Sequence, residues 1–219
     1  MILVRLELGM LATNCYVLAE QEGGEAAVID PAGELKKINR SLREHDLRLK
    51  MILLTHGHPD HVSGAGPLSD ATGVPVLIHP LDAEALASRR NLLLGLQGGV
   101  RATRPQQVQE LREGDELVLD GLRLRVLHTP GHTPGGVSFH LPEEPPGHLF
   151  CGDLIFAGSI GRTDLRGGSL QVLLTAVREK LWDLPDQTVI HPGHGPETTL
   201  GAEKGHNPFL MGLGRRAGR

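Results

Sequence analysis

Aromatic side chains are nearly missing from this chain: one Trp, one Tyr and four Phe make up 3% of its 219 residues. A core built from it must rest on Leu, Val, Ile and Ala. Cysteine is equally scarce. Cys15 and Cys151 cannot form a disulfide framework, and both read as buried thiols. No apolar run approaches the roughly 18 residues that a bilayer span requires. The first residues lack the basic start, long apolar core and cleavage site of a secretory signal, so the expected compartment is cytoplasmic. Positive charge is not in excess either. Lys plus Arg is 22 against 26 for Asp plus Glu, a net charge of −4. Neither nucleic acid nor a membrane surface is therefore an expected partner. Hydrophobic residues at 39% and charged residues at 22% exclude a disordered chain.

Alternating apolar positions and turn residues predict strands at residues 2–8, 14–19, 26–29, 49–54, 74–78, 116–119, 122–127, 137–141, 149–151 and 188–191. Helical spacing predicts helices at 34–45, 64–72, 81–88, 170–181 and 199–204. Residues 91–100 mix Leu with Gly and read as a lid-like segment. Strands punctuated by helices, with no linker composition between them, predict an α+β chain of sheets covered by helices. Residues 1–211 read as one domain and 212–219 as a loose tail.

Histidine is abundant instead: there are 12, unevenly placed. Residues 55–61 read Thr-His-Gly-His-Pro-Asp-His. Imidazole nitrogens and carboxylate oxygens suit zinc, iron and manganese, and a metal site needs three or four of them converging. Gly57 and Pro59 bend this stretch, so His56 and His58 can aim one way and Asp60 and His61 another. Three His and one Asp at fixed spacing arise by chance with a probability of roughly 10⁻³, so a merely solvated His-rich loop is the weaker reading. Three further candidates each follow a strand and sit beside glycine: His132, Asp153 and His194. His45, His79, His140, His148 and His206 read as ordinary satisfied surface residues. His128 and His191 read as groups packed near the site.

Together these motifs resemble the metallo-β-lactamase superfamily over nearly the whole chain. Within it, residues 158–165 and 194–199 resemble the short glyoxalase II-like (hydroxyacylglutathione hydrolase-like) enzymes. The resemblance implies a four-layer αββα sandwich with metals at one edge. It implies two divalent metal ions, with zinc the first expectation and iron or manganese the alternatives. His56, His58 and His132 would hold one, Asp60, His61 and His194 the other, and Asp153 would bridge. Asp60 would also orient the nucleophile. The implied substrate is a small-molecule thioester, S-lactoylglutathione or a related acylglutathione. Arg162 stands where glyoxalase II enzymes carry a lysine and would anchor an anionic part of it.

A rival resemblance comes from another class. Persulfide dioxygenases share the Gly-Arg-Thr-Asp stretch and bind a single iron, here matching His56, His132 and Asp153. The 73 residues between His58 and His132 favour the hydrolase-like group, which carries an insertion matching residues 74–109.

Overall fold

The computed structural model describes residues 1–87 and 102–214. Strands β1 (Ile2–Leu8), β2 (Thr13–Ala19), β3 (Glu25–Ile29), β4 (Arg48–Leu53), β5 (Val76–Ile78) and β6 (Val108–Glu110) form one six-stranded sheet in that order. The first three run antiparallel; from β3 to β6 neighbours are parallel. Parallel strands need crossovers. Helix α1 (Leu35–Glu44) supplies the first, and α2 (Pro59–Val62) with α3 (Ala65–Thr72) the second.

The other sheet contains β7 (Glu116–Leu119), β8 (Leu122–His128), β9 (Val137–Leu141), β10 (His148–Gly152), β13 (Val189–Pro192) and β14 (Thr198–Thr199). A small hairpin, β11 (Ile155–Phe156) with β12 (Ser159–Ile160), follows β10. Helix α4 (Leu170–Ala176) continues as a π-helical turn, Val177–Leu181, and α5 (Leu200–His206) comes last.

Strand periodicity explains the layering. In β2, Cys15, Val17 and Ala19 face α1 and α3 in one apolar cluster, while Tyr16 and Leu18 face the second sheet in another. That middle cluster joins Leu53 and Leu77 to Leu124, Val126, Phe139 and Phe150. A third cluster packs Leu149, Cys151 and Ile190 beneath Leu173, Val177, Leu181 and Leu200. Three apolar interfaces between four layers make the αββα sandwich that the motifs imply, with an aliphatic core. Both cysteines are buried and unpaired, and burial pushes the Cys151 thiol up to about 12.

The expected strands and helices are present with ends shifted by a residue or two. Two stretches differ. Val108–Glu110 is exposed throughout, so it shows no buried alternation; parallel pairing with β5 alone makes it a strand. The expected helix at 81–88 is a 3₁₀ turn, Ala83–Ala87, within its described part. The lid-like reading of 91–100 lies outside the described residues, as does the end of the tail from residue 215. No helix among the described residues is long and apolar enough to cross a membrane.

Candidate metal centre

Every candidate ligand lies just past the C-terminal end of a strand, and those ends meet at one edge of the sandwich. His56 to His61 follow β4, His132 follows β8, Asp153 follows β10 and His194 follows β13. Backbone bonds knit this edge together. Val137 N donates to Thr55 O at 2.8 Å, Gly193 N to Gly152 O at 2.8 Å, and Asn14 N to Gly193 O at 2.7 Å. Pro59 shapes the His-rich run. The residue before a proline is pushed to extended backbone, and proline suits the first helical position. His58 accordingly has φ −71° and ψ 142°, and the α2 turn starts at Pro59. A helical turn rather than a bent loop therefore separates His56 and His58 from Asp60 and His61.

The structure brings all seven candidate ligands together. His56, His58 and His132 offer atoms within 4.8 Å of one another, as do Asp60, His61 and His194. His58 Nδ1 lies 2.8 Å from His132 Nε2, and His61 Nε2 lies 3.3 Å from His194 Nε2. The Asp153 carboxylate faces both groups: Oδ1 is 3.3 Å from His61 Nε2, and Oδ2 is 3.5 Å from His132 Nε2 and 3.8 Å from His194 Nε2. Asp60 Oδ2 lies 3.2 Å from His194 Nε2. Gly193 permits this approach, because a Cβ there would strike Asp153 Oδ1 and His61 Cε1.

Hydrogen-bond partners that can only accept assign the tautomers. His132 Nδ1–H donates to Arg162 O at 2.7 Å, and His194 Nδ1–H to Leu11 O at 3.1 Å. His61 Nδ1–H donates to Asp30 Oδ2 at 2.9 Å. The Thr55 hydroxyl donates to the same Asp30 oxygen at 2.6 Å, so its lone pair accepts His56 Nδ1–H at 3.0 Å. Four imidazoles therefore turn Nε2 toward the centre. His56 Nε2 and Asp153 Oδ1 are buried without a hydrogen-bond partner. Orphaned donor atoms of this kind, in a set of five imidazoles and two carboxylates, fit divalent metal ions.

Electrostatics divide the centre. Burial pushes His56 far below the usual imidazole range, and the neighbouring His61 and His132 push the same way. Burial, with His132, takes His58 down to about 4 against the pull of Asp60 and Asp153. For His61 burial also opposes charge, but Asp153 and Asp30 raise it well above that range. His194 is raised by Asp60 and Asp153 despite its burial. Asp60 and Asp153 are both held below the usual carboxylate range, against burial, by these imidazoles.

Arg162 meets the candidate centre through its backbone. Its carbonyl orients His132, whereas its side chain is 61% exposed and makes two 2.8 Å bonds to Asp164. Sequence reasoning missed Asp30. This carboxylate belongs to a third group of close potential ligands with His56 and His61, but its oxygens are taken by Thr55 N, the Thr55 hydroxyl and His61. These bonds orient two of the candidate ligands, His61 directly and His56 through Thr55. A usable signal existed: like Asp153, Asp30 directly ends an apolar strand.

A fold of two sheets whose strand ends converge seven metal-competent side chains defines a metalloenzyme class. A family model for the metallo-β-lactamase superfamily matches residues 8–194, and the chain belongs to that family. The hydroxyacylglutathione hydrolase GloC of Haemophilus influenzae is 39% identical over 206 residues, 90% of this chain and 92% of that protein. Among solved structures, the BLEG-1 B3 metallo-β-lactamase has a TM-score of 0.84 at 36% identity, covering 96% of this chain and all of that one. TTHA1623, solved in a di-iron-bound form, has a TM-score of 0.80 at 40% identity, covering 94% and 100%. ETHE1 from Myxococcus xanthus has a TM-score of 0.75 at 29% identity, covering 95% and 84%.

Proposed function

We propose that the protein is a metal-dependent thioester hydrolase acting on S-lactoylglutathione or a related acylglutathione. The observation that carries this reading is one carboxylate, Asp153, facing two separate groups of three ligands. His56, His58 and His132 would hold one divalent ion and Asp60, His61 and His194 a second, with Asp153 shared. When bound, such a pair supplies Lewis acidity and a water acidic enough to ionise near neutral pH. Zinc suits these donors, and iron or manganese would also be accepted. The similarity to GloC supports the acylglutathione as substrate.

The chain's own groups prepare this chemistry. Asp30, Thr55, Leu11 O and Arg162 O fix four ring orientations, so no ligand has to rotate into place. Asp60, held ionised, accepts a hydrogen bond from the attacking water and aims it at the thioester carbonyl. A thiolate leaves without a proton donor, since thiols ionise near pH 8.5. Arg162 would leave Asp164 to meet a carboxylate of the substrate. The likeness to ETHE1 keeps a second reading in the test, a one-iron persulfide dioxygenase using His56, His132 and Asp153.

The test strips the protein of metal, refills it with zinc or iron, and follows two reactions side by side. Thiol release from S-lactoylglutathione with zinc, without oxygen consumption, is the expected result. Oxygen uptake on glutathione persulfide with iron alone, and no thioester cleavage with any metal, would replace the hydrolase by the dioxygenase. Asp60→Ala should abolish the hydrolysis, whereas a one-iron enzyme would keep its metal.

A further inference from the structure

The ligands of the first group come from two loops on different sheets. His56 and His58 follow β4, and His132 lies between β8 and β9. A third segment reaches both. Asp82, just past β5 at the mouth of the 3₁₀ turn, is buried at 6% exposure. Its Oδ2 accepts Gly57 N–H at 2.8 Å, and its Oδ1 accepts Gly135 N–H at 2.8 Å. Gly57 separates the two ligands His56 and His58, and Gly135 is three residues beyond His132.

We propose that Asp82 is a positioning residue: its carboxylate sets the distance between the loop carrying His56 and His58 and the loop carrying His132. The inference rests on reading these three histidines as a metal half-site. Both partners are backbone donors, so no side-chain torsion intervenes between the carboxylate and either loop. Charged acceptors make the stronger hydrogen bonds to backbone N–H. Gly135 admits the carboxylate: a Cβ there would lie 2.6 Å from Asp82 Oδ1 and 2.7 Å from Asp82 Cγ. Real Cβ atoms do not approach so closely, so a side chain at position 135 would displace the carboxylate. Gly57 lets its loop pack against the same segment, since a Cβ there would lie 2.7 Å from Ala85 Cβ. Val137 N→Thr55 O also joins the two loops, so losing Asp82 should loosen their spacing rather than separate them.

Substitution by asparagine is the sharpest change. It keeps the volume and one acceptor, but turns an amide N–H₂ against one of the two backbone donors. Asp60→Ala disables the second half-site, so cobalt(II) binding in that background reports on the histidine trio together with the shared Asp153. The experiment titrates metal-free Asp60→Ala, Asp60→Ala/Asp82→Asn and Asp60→Ala/Gly135→Ala proteins with cobalt(II). It reads chelator-competition affinity and the visible d–d spectrum, and checks folding by thermal denaturation without metal. Both double variants should bind about tenfold to a hundredfold more weakly, with an altered d–d band, while still unfolding cooperatively. Parent affinity and spectrum in whichever variant folds would overturn the role of Asp82. A lower unfolding temperature with unchanged affinity would likewise assign it to stability alone. Failure of the Asp60→Ala parent to bind one equivalent of cobalt would instead sink the metal reading, and this inference with it.

Discussion

The trio His56, His58 and His132 consists of imidazoles alone, and burial keeps His56 and His58 from charging. The trio Asp60, His61 and His194 mixes a carboxylate held ionised with imidazoles that Asp153, Asp30 and Asp60 favour as cations. Without metal, burial favours the neutral forms of His56 and His58, while the carboxylates and imidazoles of the second group favour one another's charged forms. Metal uptake by the second group is therefore expected to release more protons than uptake by the first. The supports differ as well. The first group hangs from backbone N–H groups gathered by Asp82. The second depends on how the loop carrying His194 is tied down. Asn14 Nδ2 donates to Pro192 O and to Gly195 O, each at 2.9 Å, and the Tyr16 hydroxyl donates to Pro192 O at 2.7 Å. Behind them, His191 Nδ1–H donates to Glu197 at 3.1 Å and His191 Nε2 accepts His148 Nδ1–H at 2.8 Å. The support of the second group therefore contains a titrating imidazole.

The largest expected effect tests that difference by pH. Burial takes His191 down to about 4, and His148 pushes the same way against Glu197. An unfolded chain protonates this imidazole near 6.5, while the folded one resists until about 4. The folded state binds fewer protons in that window, so stability is complete above pH 6.5 and is lost as pH falls toward 4. The total is on the order of 3 kcal/mol. Urea unfolding of metal-free protein at pH 7 and 4.5, in the wild type and in His191→Gln, isolates this group from the other histidines. The advantage of the wild type should shrink by roughly 2–3 kcal/mol on acidification. A difference independent of pH would remove the titratable support from the comparison.

Asp30→Asn should have the next largest effect, because Asp30 reaches both groups unequally. It accepts directly from His61 but reaches His56 only through Thr55. The amide keeps one acceptor and loses the charge that favours the His61 orientation. Stepwise zinc affinities from chelator competition should fall about tenfold to a hundredfold for the second group and less for the first. Equal losses in both would mean that Asp30 supports the edge as a whole.

Candidate ligands were legible in the sequence where residue type and spacing carry the chemistry by themselves. The run from His56 to His61 needs no partner to be noticed, and His132, Asp153 and His194 each stand at the end of an apolar strand beside glycine. Asp82 and Asn14 were not legible, because their meaning lies in whose backbone they touch. Asp82 meets an N–H 53 positions away, and Asn14 meets carbonyls 178 and 181 positions away. The fold divides in the same way. Strands buried on both faces, such as β2, announce themselves, while two-residue β11, β12 and β14 are too short to show a period. The Pro59 turn was readable as a bend, but the side to which it sends Asp60 depends on the helical geometry that follows.

The smallest expected effect concerns Arg162, where backbone and side chain serve different ends. The carbonyl orients His132 and survives any substitution; the guanidinium lies outside, paired with Asp164. Arg162→Ala should therefore leave the metal affinity of the first group unchanged. It should raise KM for a glutathione thioester by about tenfold or less, with kcat nearly constant, because the lost contact binds substrate and transition state alike. Asp164→Asn weakens the hold on the same guanidinium and should lower KM by about twofold to threefold on the same argument. Steady-state kinetics on the zinc-loaded enzyme reads both. Opposite shifts in KM would place the arginine at the substrate, whereas an unchanged KM in both variants would leave the Arg162–Asp164 pair as a feature of the surface loop. A fall in metal affinity for Arg162→Ala would show instead that the side chain holds its own carbonyl against His132, tying the outer loop to the first group after all.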